Sequence, residues 1–168
     1  MKHKKIYISA LLIITFTICF IKYNSVNAAY KNYKIDSIPV VLNKEFDTKD
    51  FKITYTNTKK NNININGNEY IQYLIGIKMR NKTSKNIEYP SSKFFILAPN
   101  FNYNQSLYLY NEEKKPINFN LKPNEEIEGY LIFKMPYHWG INNHTSFKII
   151  YSESDVSENK TKQYKLSL

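Results

Sequence analysis

Apolar and polar residues alternate in short stretches along most of this chain. In the clearest stretch, every second position is occupied by Ile71, Tyr73, Ile75, Ile77 and Met79, and the residues between them are mainly polar. A period of two places successive side chains on opposite faces of a β-strand, whereas a helix repeats about every 3.6 residues. The stretch therefore predicts a strand with one buried face, and no segment after the N-terminal region shows a helical period.

Similar stretches recur along the chain and are separated by turn-forming residues. They predict further strands at Ile38–Leu42, Phe51–Thr56, Phe94–Ala98, Ser106–Tyr110, Ile117–Leu121, Ile127–Met135, Phe147–Tyr151 and Tyr164–Leu168. The Asn-rich stretch from Asn57 to Asn68 predicts a polar hairpin or loop ending in Asn66-Gly67, a favoured turn pair. The polar stretch Glu153–Thr161 predicts a mobile segment between the last two strands. About seven to nine short strands without intervening helices predict an all-β fold, a sandwich or a barrel.

The N-terminal region has a different pattern. Three lysines (Lys2, Lys4 and Lys5) precede an uncharged apolar run from Ile6 to Ile21, and Val26-Asn27-Ala28 follows. A positive segment, an apolar segment and a small-residue site, in this order, are typical of a secretory signal peptide. The pattern predicts a signal at residues 1–28, cleaved after Ala28, and one domain at residues 29–168.

An uncleaved membrane anchor at residues 6–21 remains the alternative. The apolar run is about 16 residues, against about 20 for a spanning helix, but flanking lysines can extend it by snorkelling. A lipid-anchor site is disfavoured because Ile18 and Phe16-Thr17 precede Cys19, where small residues are needed. Either reading places the domain outside the cytoplasm, secreted or anchored at the cell surface.

The composition of the exported part excludes several classes of protein. Lys2, Lys4, Lys5 and Lys22 lie before Ala29, where there is no acidic residue, so the remaining chain has 20 basic and 14 acidic residues, a net charge of +6. These basic residues are dispersed, whereas a nucleic-acid site needs a basic stripe or cluster. The one cysteine, Cys19, lies in the signal segment, which excludes disulfides and thiolate chemistry in the domain. We therefore expect no nucleic-acid partner and no cofactor.

No motif indicates catalysis or a metal site. The domain contains two histidines, His138 and His144, both in the turn region 137–145, which has no Asp or Glu to complete a metal site. Paired carboxylates occur at Glu112-Glu113 and Glu125-Glu126, but adjacent residues on a strand point to opposite faces. We interpret all of these residues as solvated loop positions and predict that the protein is not an enzyme.

Aromatic residues give the one candidate binding surface. Tyr103, Tyr108 and Tyr110 lie in a Tyr- and Asn-rich segment that could form a platform for a sugar or peptide, and Trp139 lies in a loop after Pro136. Trp and Tyr are enriched at binding hot spots. The alternative is that these rings pack across strands or cover an open end of a sandwich.

Three stretches of the chain resemble one known family. They are the strand and turn Tyr70–Lys85, the apolar run Phe94–Leu97, and Leu121-Lys122-Pro123-Asn124-Glu125 followed by Gly129–Pro136. In this order they resemble the DUF4352, telokin-like group of secreted and lipoprotein-associated domains of Gram-positive bacteria. Asn124 stands where that family prefers Gly, a substitution that is tolerated because Asn enters left-handed conformations readily.

The resemblance implies an immunoglobulin-like antiparallel β-sandwich and a cell-surface setting, and it carries no catalytic residues. We therefore expect a non-catalytic domain that binds an unknown protein or cell-envelope component. A membrane-anchored accessory subunit of an envelope assembly is the alternative function. A secreted hydrolase is the least favoured reading.

Overall fold

The computed structural model describes residues 2–31, 33–155 and 157–168, and it describes no side chains for residues 1–6, 8–10 and 29–32. The side chains of the predicted signal lysines Lys2, Lys4 and Lys5 are therefore not among those described. The chain divides into two compact units, Met1–Ile35 with Asp155–Thr161 and Asp36–Ser154 with Lys162–Leu168. We call the second unit the sandwich unit.

The first unit contains one long helix, α1, at Lys2–Lys31. Its most apolar window is Leu11–Ala28, 18 residues with a mean hydropathy of 1.4 and no buried residue, which is long and apolar enough to cross a membrane. The hydroxyls of Thr15 and Thr17 donate to the carbonyls one turn earlier, at 2.9 Å each, so these polar groups have partners within the helix. This apolar helix is compatible with a signal segment or an anchor.

The remaining described residues form strands joined by turns. Eleven strands are present: β1 Lys34–Val40, β2 Phe46–Asp47, β3 Phe51–Ile65, β4 Asn68–Asn81, β5 Ile87–Glu88, β6 Phe94–Leu97, β7 Tyr103–Gln105, β8 Asn120–Leu121, β9 Glu126–Pro136, β10 Lys148–Asp155 and β11 Lys160–Ser167. One sheet has the order β1-β11-β10-β6-β7, a second has β2-β3-β4-β9, and β5 pairs with β8. All registers described between these strands are antiparallel.

The two large sheets contribute their inner faces to one core within the sandwich unit. The inner face of β4 is the predicted apolar set, and those five side chains are at most 6% exposed. Aromatic rings join the two sheets, with Phe46 stacked on Tyr164 at 5.1 Å and Tyr73 against Phe147 at 5.2 Å between centroids. Large aromatic side chains therefore supply the packing of a domain without disulfides. The all-β sandwich prediction is confirmed.

The β3–β4 hairpin is longer than the sequence predicts. The turn at Asn66-Gly67 is confirmed, with φ of 51° and 82°, values that suit the mirror-image turns of two-residue hairpins. However, Asn57–Ile65 is a continuation of β3 paired residue by residue with β4, rather than a loop. The turn at Asn124 also has the predicted left-handed backbone, with φ of 63°.

Other strand predictions were wrong in extent. Ser106–Tyr110 is not a strand, because its described hydrogen bonds to β9 are limited to a two-residue bridge at Tyr110 and one bond to the Ser106 hydroxyl. In Ile117–Leu121 the apolar residues do point to the core, but only Asn120–Leu121 pairs with another strand. The first strand ends at Val40 rather than Leu42, since Asn43, with φ of 60°, turns the chain there.

The segment predicted to be mobile, Glu153–Thr161, is largely strand: β10 continues to Asp155 and β11 begins at Lys160. Residues 157–159 form a turn before β11.

Candidate binding surface

One depression on the sandwich unit lies on the outer face of the five-stranded sheet, beside its edge strand β7. It has a volume of about 500 Å³ and is lined by Phe95, Leu97 and Tyr103 together with five polar or charged residues. Phe95 and Leu97 alternate along β6 with Phe94 and Ile96, which point into the core. We call this depression the β6–β7 groove.

The strand register explains how the groove forms. Leu97 pairs with Tyr103 and Phe95 pairs with Gln105, so these side chains share the outer face. The Tyr103 ring meets the Phe95 ring edge-on at 6.3 Å and remains 59% exposed. A half-exposed aromatic residue against apolar neighbours has surface available for a partner.

Lys93 lies at one border of the groove and is its charged residue. The Lys93 ammonium lies 3.3 Å from the Asp50 carboxylate and 5.8 Å from the centroid of the Tyr151 ring. Burial raises the pKa of Tyr151, whose hydroxyl donates to Glu153. The charge of Lys93 is thus already paired, which leaves the groove mainly apolar.

The other predicted tyrosines lie elsewhere. Tyr108 and Tyr110 contact each other at 6.2 Å in the segment that runs along β9, and Tyr108 lines a separate depression with Leu107 and Pro116. Tyr110 exchanges two main-chain hydrogen bonds with Tyr130, at 2.8 and 2.9 Å. Burial raises the pKa of Tyr110. The structure brings Tyr108 and Tyr110 together but does not place them in the β6–β7 groove.

Trp139 occupies a short 3-10 turn, Tyr137–Trp139, directly after β9. Its ring is partly buried against the core, and its carbonyl accepts hydrogen bonds from the Asn100 and Asn102 amides at 2.7 and 3.3 Å. These bonds tie Trp139 to the loop that leads into β7. This arrangement favours the packing role that the sequence left open.

The sequence did not identify Phe95 and Leu97 as site residues. Their run, Phe94–Leu97, is apolar at every position, which is typical of a strand buried on both faces. Two side chains of any four-residue strand must nevertheless point away from the core of a two-layer domain. This alternation alone could have identified two residues of the run as outward-facing candidates.

The histidines and paired glutamates that the sequence offered as candidates are all exposed. His138 and His144 are exposed, and only His144 lines the depression near Gly140. Among the described residues, no group of three or more His, Cys, Asp or Glu side chains could hold a metal ion. Glu113 pairs with Lys115 at 2.7 Å, and Glu126 pairs with Lys78 at 3.0 Å.

A smaller polar depression marks a β-bulge in β3. Tyr55 pairs with Ile77 and Asn57 with Gly76, so Thr56 is the extra residue of the bulge. The depression has a volume of about 230 Å³ and includes Glu112, Glu128 and Tyr130. The Glu128 carboxylate lies 2.8 Å from Lys78. The ion pairs with Glu128 and Glu126 raise the pKa of Lys78.

Comparison with known proteins gives a family match. A family model described as "Domain of unknown function (DUF4352)" matches residues 40–162. A search of curated proteins found no match. The match spans most of the chain and confirms the resemblance inferred from the three sequence stretches.

Several solved structures have a similar fold. One is an uncharacterized β-sandwich protein from Clostridium difficile 630, with a TM-score of 0.55, 10% identity, and coverage of 79% of this chain and 95% of that chain. A functionally unknown protein from Listeria monocytogenes EGD-e has a TM-score of 0.52, 12% identity, and coverage of 74% and 80%. The yjhA protein from Bacillus subtilis has a TM-score of 0.51, 15% identity, and coverage of 76% and 98%. At these identities the similarity shows the fold alone.

Proposed function

We propose that this chain, which belongs to the DUF4352 family of domains of unknown function, is an extracytoplasmic binding domain that catalyses no reaction. The β6–β7 groove is the observation that carries this proposal. It combines the partly exposed side chains of Phe95 and Leu97 and the exposed Tyr103 ring with a border of polar side chains, an arrangement that suits an apolar side chain of a partner.

The partner class that fits this groove is a protein or another envelope component with an apolar anchor. A side chain that fills the groove would remove Tyr103 from water and gain the hydrophobic contribution of the surrounding surface. Mature residues carry a modest net positive charge and no thiol. Recognition would therefore depend on shape and apolar contact more than on long-range attraction.

A photo-crosslinking amino acid at Tyr103 tests the proposal in cells that express the full chain. We expect a discrete crosslinked product that weakens when Leu97→Glu places a charge in the groove. The same amino acid at Lys122, an exposed turn position, is the matched control. Crosslinks of equal yield at both positions, or none at Tyr103, would refute a binding role for the groove.

An anchored accessory subunit is a second candidate, favoured by the length of α1. Its apolar window extends to Ala28, beyond the predicted run that ends at Ile21, and it reaches the 18 residues that a spanning helix needs at minimum. Mass spectrometry of the N-terminus distinguishes the two forms. A chain beginning at Ala29 in the medium indicates a free binder, whereas a chain beginning at Met1 in the membrane fraction indicates an anchored subunit.

A further inference from the structure

In the described part of the chain, strand β3 has a long edge that no other strand covers. β3 pairs with β4 from Phe51 to Ile65, but β2 pairs only with Lys52 and Ile53. The stretch Asn57–Ile65, which we call the β3 edge, therefore has a strand neighbour on one side only within the described residues. Positions 57–62 are exposed on both faces.

The hairpin turn determines which main-chain groups point outward from this edge. In a two-residue hairpin, the pair that flanks the turn, here Ile65 and Asn68, exchanges hydrogen bonds, and such pairs then alternate along the ladder. Every second residue of the β3 edge thus bonds to β4. The residues between them direct their N–H and C=O groups away from the sheet. These outward residues are Thr58, Lys60, Asn62 and Asn64.

The opposite edge of the same sheet confirms this alternation. The same alternation of bonded and non-bonded pairs continues from β4 into β9. It places the N–H groups of Tyr130 and Ile132 on the side of β9 that faces away from β4. Both have partners there: Tyr130 donates to the carbonyl of Tyr110 at 2.8 Å, and Ile132 donates to the Ser106 hydroxyl at 3.1 Å. One edge of the sheet is thus covered by the chain itself, whereas the outward main-chain groups of the other have no hydrogen-bond partner among the described residues.

The lysines beside the β3 edge have no ion-pair partner among the described residues. At the far end of the same sheet face the cations have acidic partners: Lys52 and Arg80 pair with Glu45, and Lys78 pairs with two glutamates. Lys59 and Lys134, which belong to the end near the hairpin turn, have no acidic partner among the described residues.

Lys60 is also without an acidic partner. It donates to the carbonyl of Asn143, at 2.5 Å, and lies 5.8 Å from the Tyr73 ring centroid. Its positive charge therefore adds to the field at the β3 edge.

We propose that the β3 edge binds an extended polypeptide segment with acidic side chains, which adds to the sheet as a fifth strand. Main-chain hydrogen bonds would supply affinity without a sequence requirement, and acidic side chains would meet the unpaired lysines. This surface is in the other sheet from the β6–β7 groove, so the two proposals succeed or fail independently.

A second copy of this chain is a poorer occupant. Two β3 edges paired with each other would bring two copies of Lys59 and Lys60 into one small ladder, and lysines at an edge act against such self-pairing. Each mature chain also carries a net charge of +6, which adds long-range repulsion. An acidic strand removes both penalties.

Amide hydrogen exchange measured by NMR tests the proposal on the full chain in neutral detergent micelles. The probe is a capped eight-residue peptide of alternating Glu and Val. We expect the amides of Thr58, Lys60, Asn62 and Asn64 to gain protection of at least about tenfold. The intervening amides are already bonded to β4 and should gain less, since for them the peptide only slows opening of the hairpin. Such alternating protection is specific to strand addition.

Three control probes separate this proposal from its alternatives. A Lys–Val peptide of the same length tests charge, and poly-glutamate and an anionic lipid added to the micelles test attraction without strand formation. Equal protection with the Lys–Val peptide overturns the requirement for acidic side chains. Binding of poly-glutamate or of the anionic lipid without alternating protection, and none by the Glu–Val peptide, overturns strand addition. Protection that rises with protein concentration alone would identify a second copy as the occupant.

Variants extend the test. Lys59→Glu is expected to weaken peptide binding about fivefold, since it replaces an attraction by a repulsion. Lys122→Glu makes the same change of net charge at a distant turn and is expected to have little effect. Thr58→Pro removes one outward N–H while sparing the bonds to β4, and edge strands tolerate proline. Peptide binding that survives Thr58→Pro and Lys59→Glu together overturns the proposal, and the spectrum of the buried β4 residues verifies folding.

Discussion

Replacing Gly76 by Ala should destabilise the fold because of the bulge in β3. A methyl group on Gly76 would overlap the Thr56 hydroxyl and would lie 2.8 Å from the Asn57 amide nitrogen, where ordinary contact begins at 3.4 Å. Glycine within a strand normally costs about 0.5–1 kcal/mol relative to alanine. Overpacking costs about 1–3 kcal/mol, so we expect a net loss of about 1–2 kcal/mol in the free energy of unfolding.

Denaturant unfolding of the full chain, followed by circular dichroism, measures this loss. The Thr56→Ala variant removes the hydroxyl in question and should by itself change stability by no more than about 0.5 kcal/mol. Combined with Gly76→Ala it should recover about 1 kcal/mol, because the two residues are in contact and their effects are not additive. A neutral or stabilising Gly76→Ala substitution, or a double variant that recovers nothing, would refute the steric account of the bulge.

The bulge also determines the orientation of the residues beyond it. One residue more or less in a strand moves every following side chain to the opposite face. The extra residue Thr56 thus places Lys59 opposite Leu74, on the outer face, and Lys60 opposite Tyr73, on the inner face. A Gly76→Ala variant that removes the bulge rather than unfolding the domain should therefore also weaken binding of the Glu–Val peptide at the β3 edge.

Two further predictions concern buried polar groups. Burial raises the pKa values of Tyr55 and Tyr151, both fully buried, so their neutral forms stabilise the fold below about pH 10, the tyrosine pKa in an unfolded chain. The free energy of unfolding should fall above that pH by about 1.4 kcal/mol per pH unit for each of the two tyrosines. Tyrosinate absorbance should therefore rise together with unfolding. Ionisation of these tyrosines in a chain that stays folded would contradict the prediction. The Asn81 amide donates to the carbonyls of Lys85 and Leu121 at 2.7 and 3.0 Å, so Asn81→Ala should cost about 2–4 kcal/mol in a denaturant titration. The exposed Asn86→Ala is the control, and an equal effect of both substitutions would contradict the assignment.

The predictions from the sequence succeeded where burial and strand pairing coincide. β4 has neighbours on both sides and a sheet facing it, so the alternation of its inner residues is forced, and the sequence identified all five. β9 was predicted almost to the residue for the same reason. Ser106–Tyr110 shows the limit, since Ser106 and Leu109 are buried by contact with β9 without continuous strand pairing. Alternation in the sequence directly indicates that one face of the segment is buried. It indicates hydrogen bonding to a neighbouring strand only indirectly.

The candidate site was predictable only in part. Tyr103 was identified from its composition and lies on the β6–β7 groove, but Phe95 and Leu97 were hidden in a run that is apolar throughout. Tyr108 and Trp139 were identified by residue type, yet which surface each belongs to depends on loop paths that follow from tertiary contacts. One such contact is the pair of hydrogen bonds that the Trp139 carbonyl accepts. Residue type thus identified candidates, and only the fold could group them.

The β3 edge was missed because nothing in its side chains requires a strand. Asn57–Ile65 buries little apolar surface, so its strand structure depends on main-chain bonds to β4. Ordering a residue costs about 1–2 kcal/mol of backbone entropy, whereas a hydrogen bond contributes about 0.5–1.5 kcal/mol. These terms nearly balance, so the end of the hairpin should be among the least stable parts of the sandwich unit. Segments of low local stability are where binding elements are commonly found, and an added strand would supply the second set of main-chain bonds that this edge lacks.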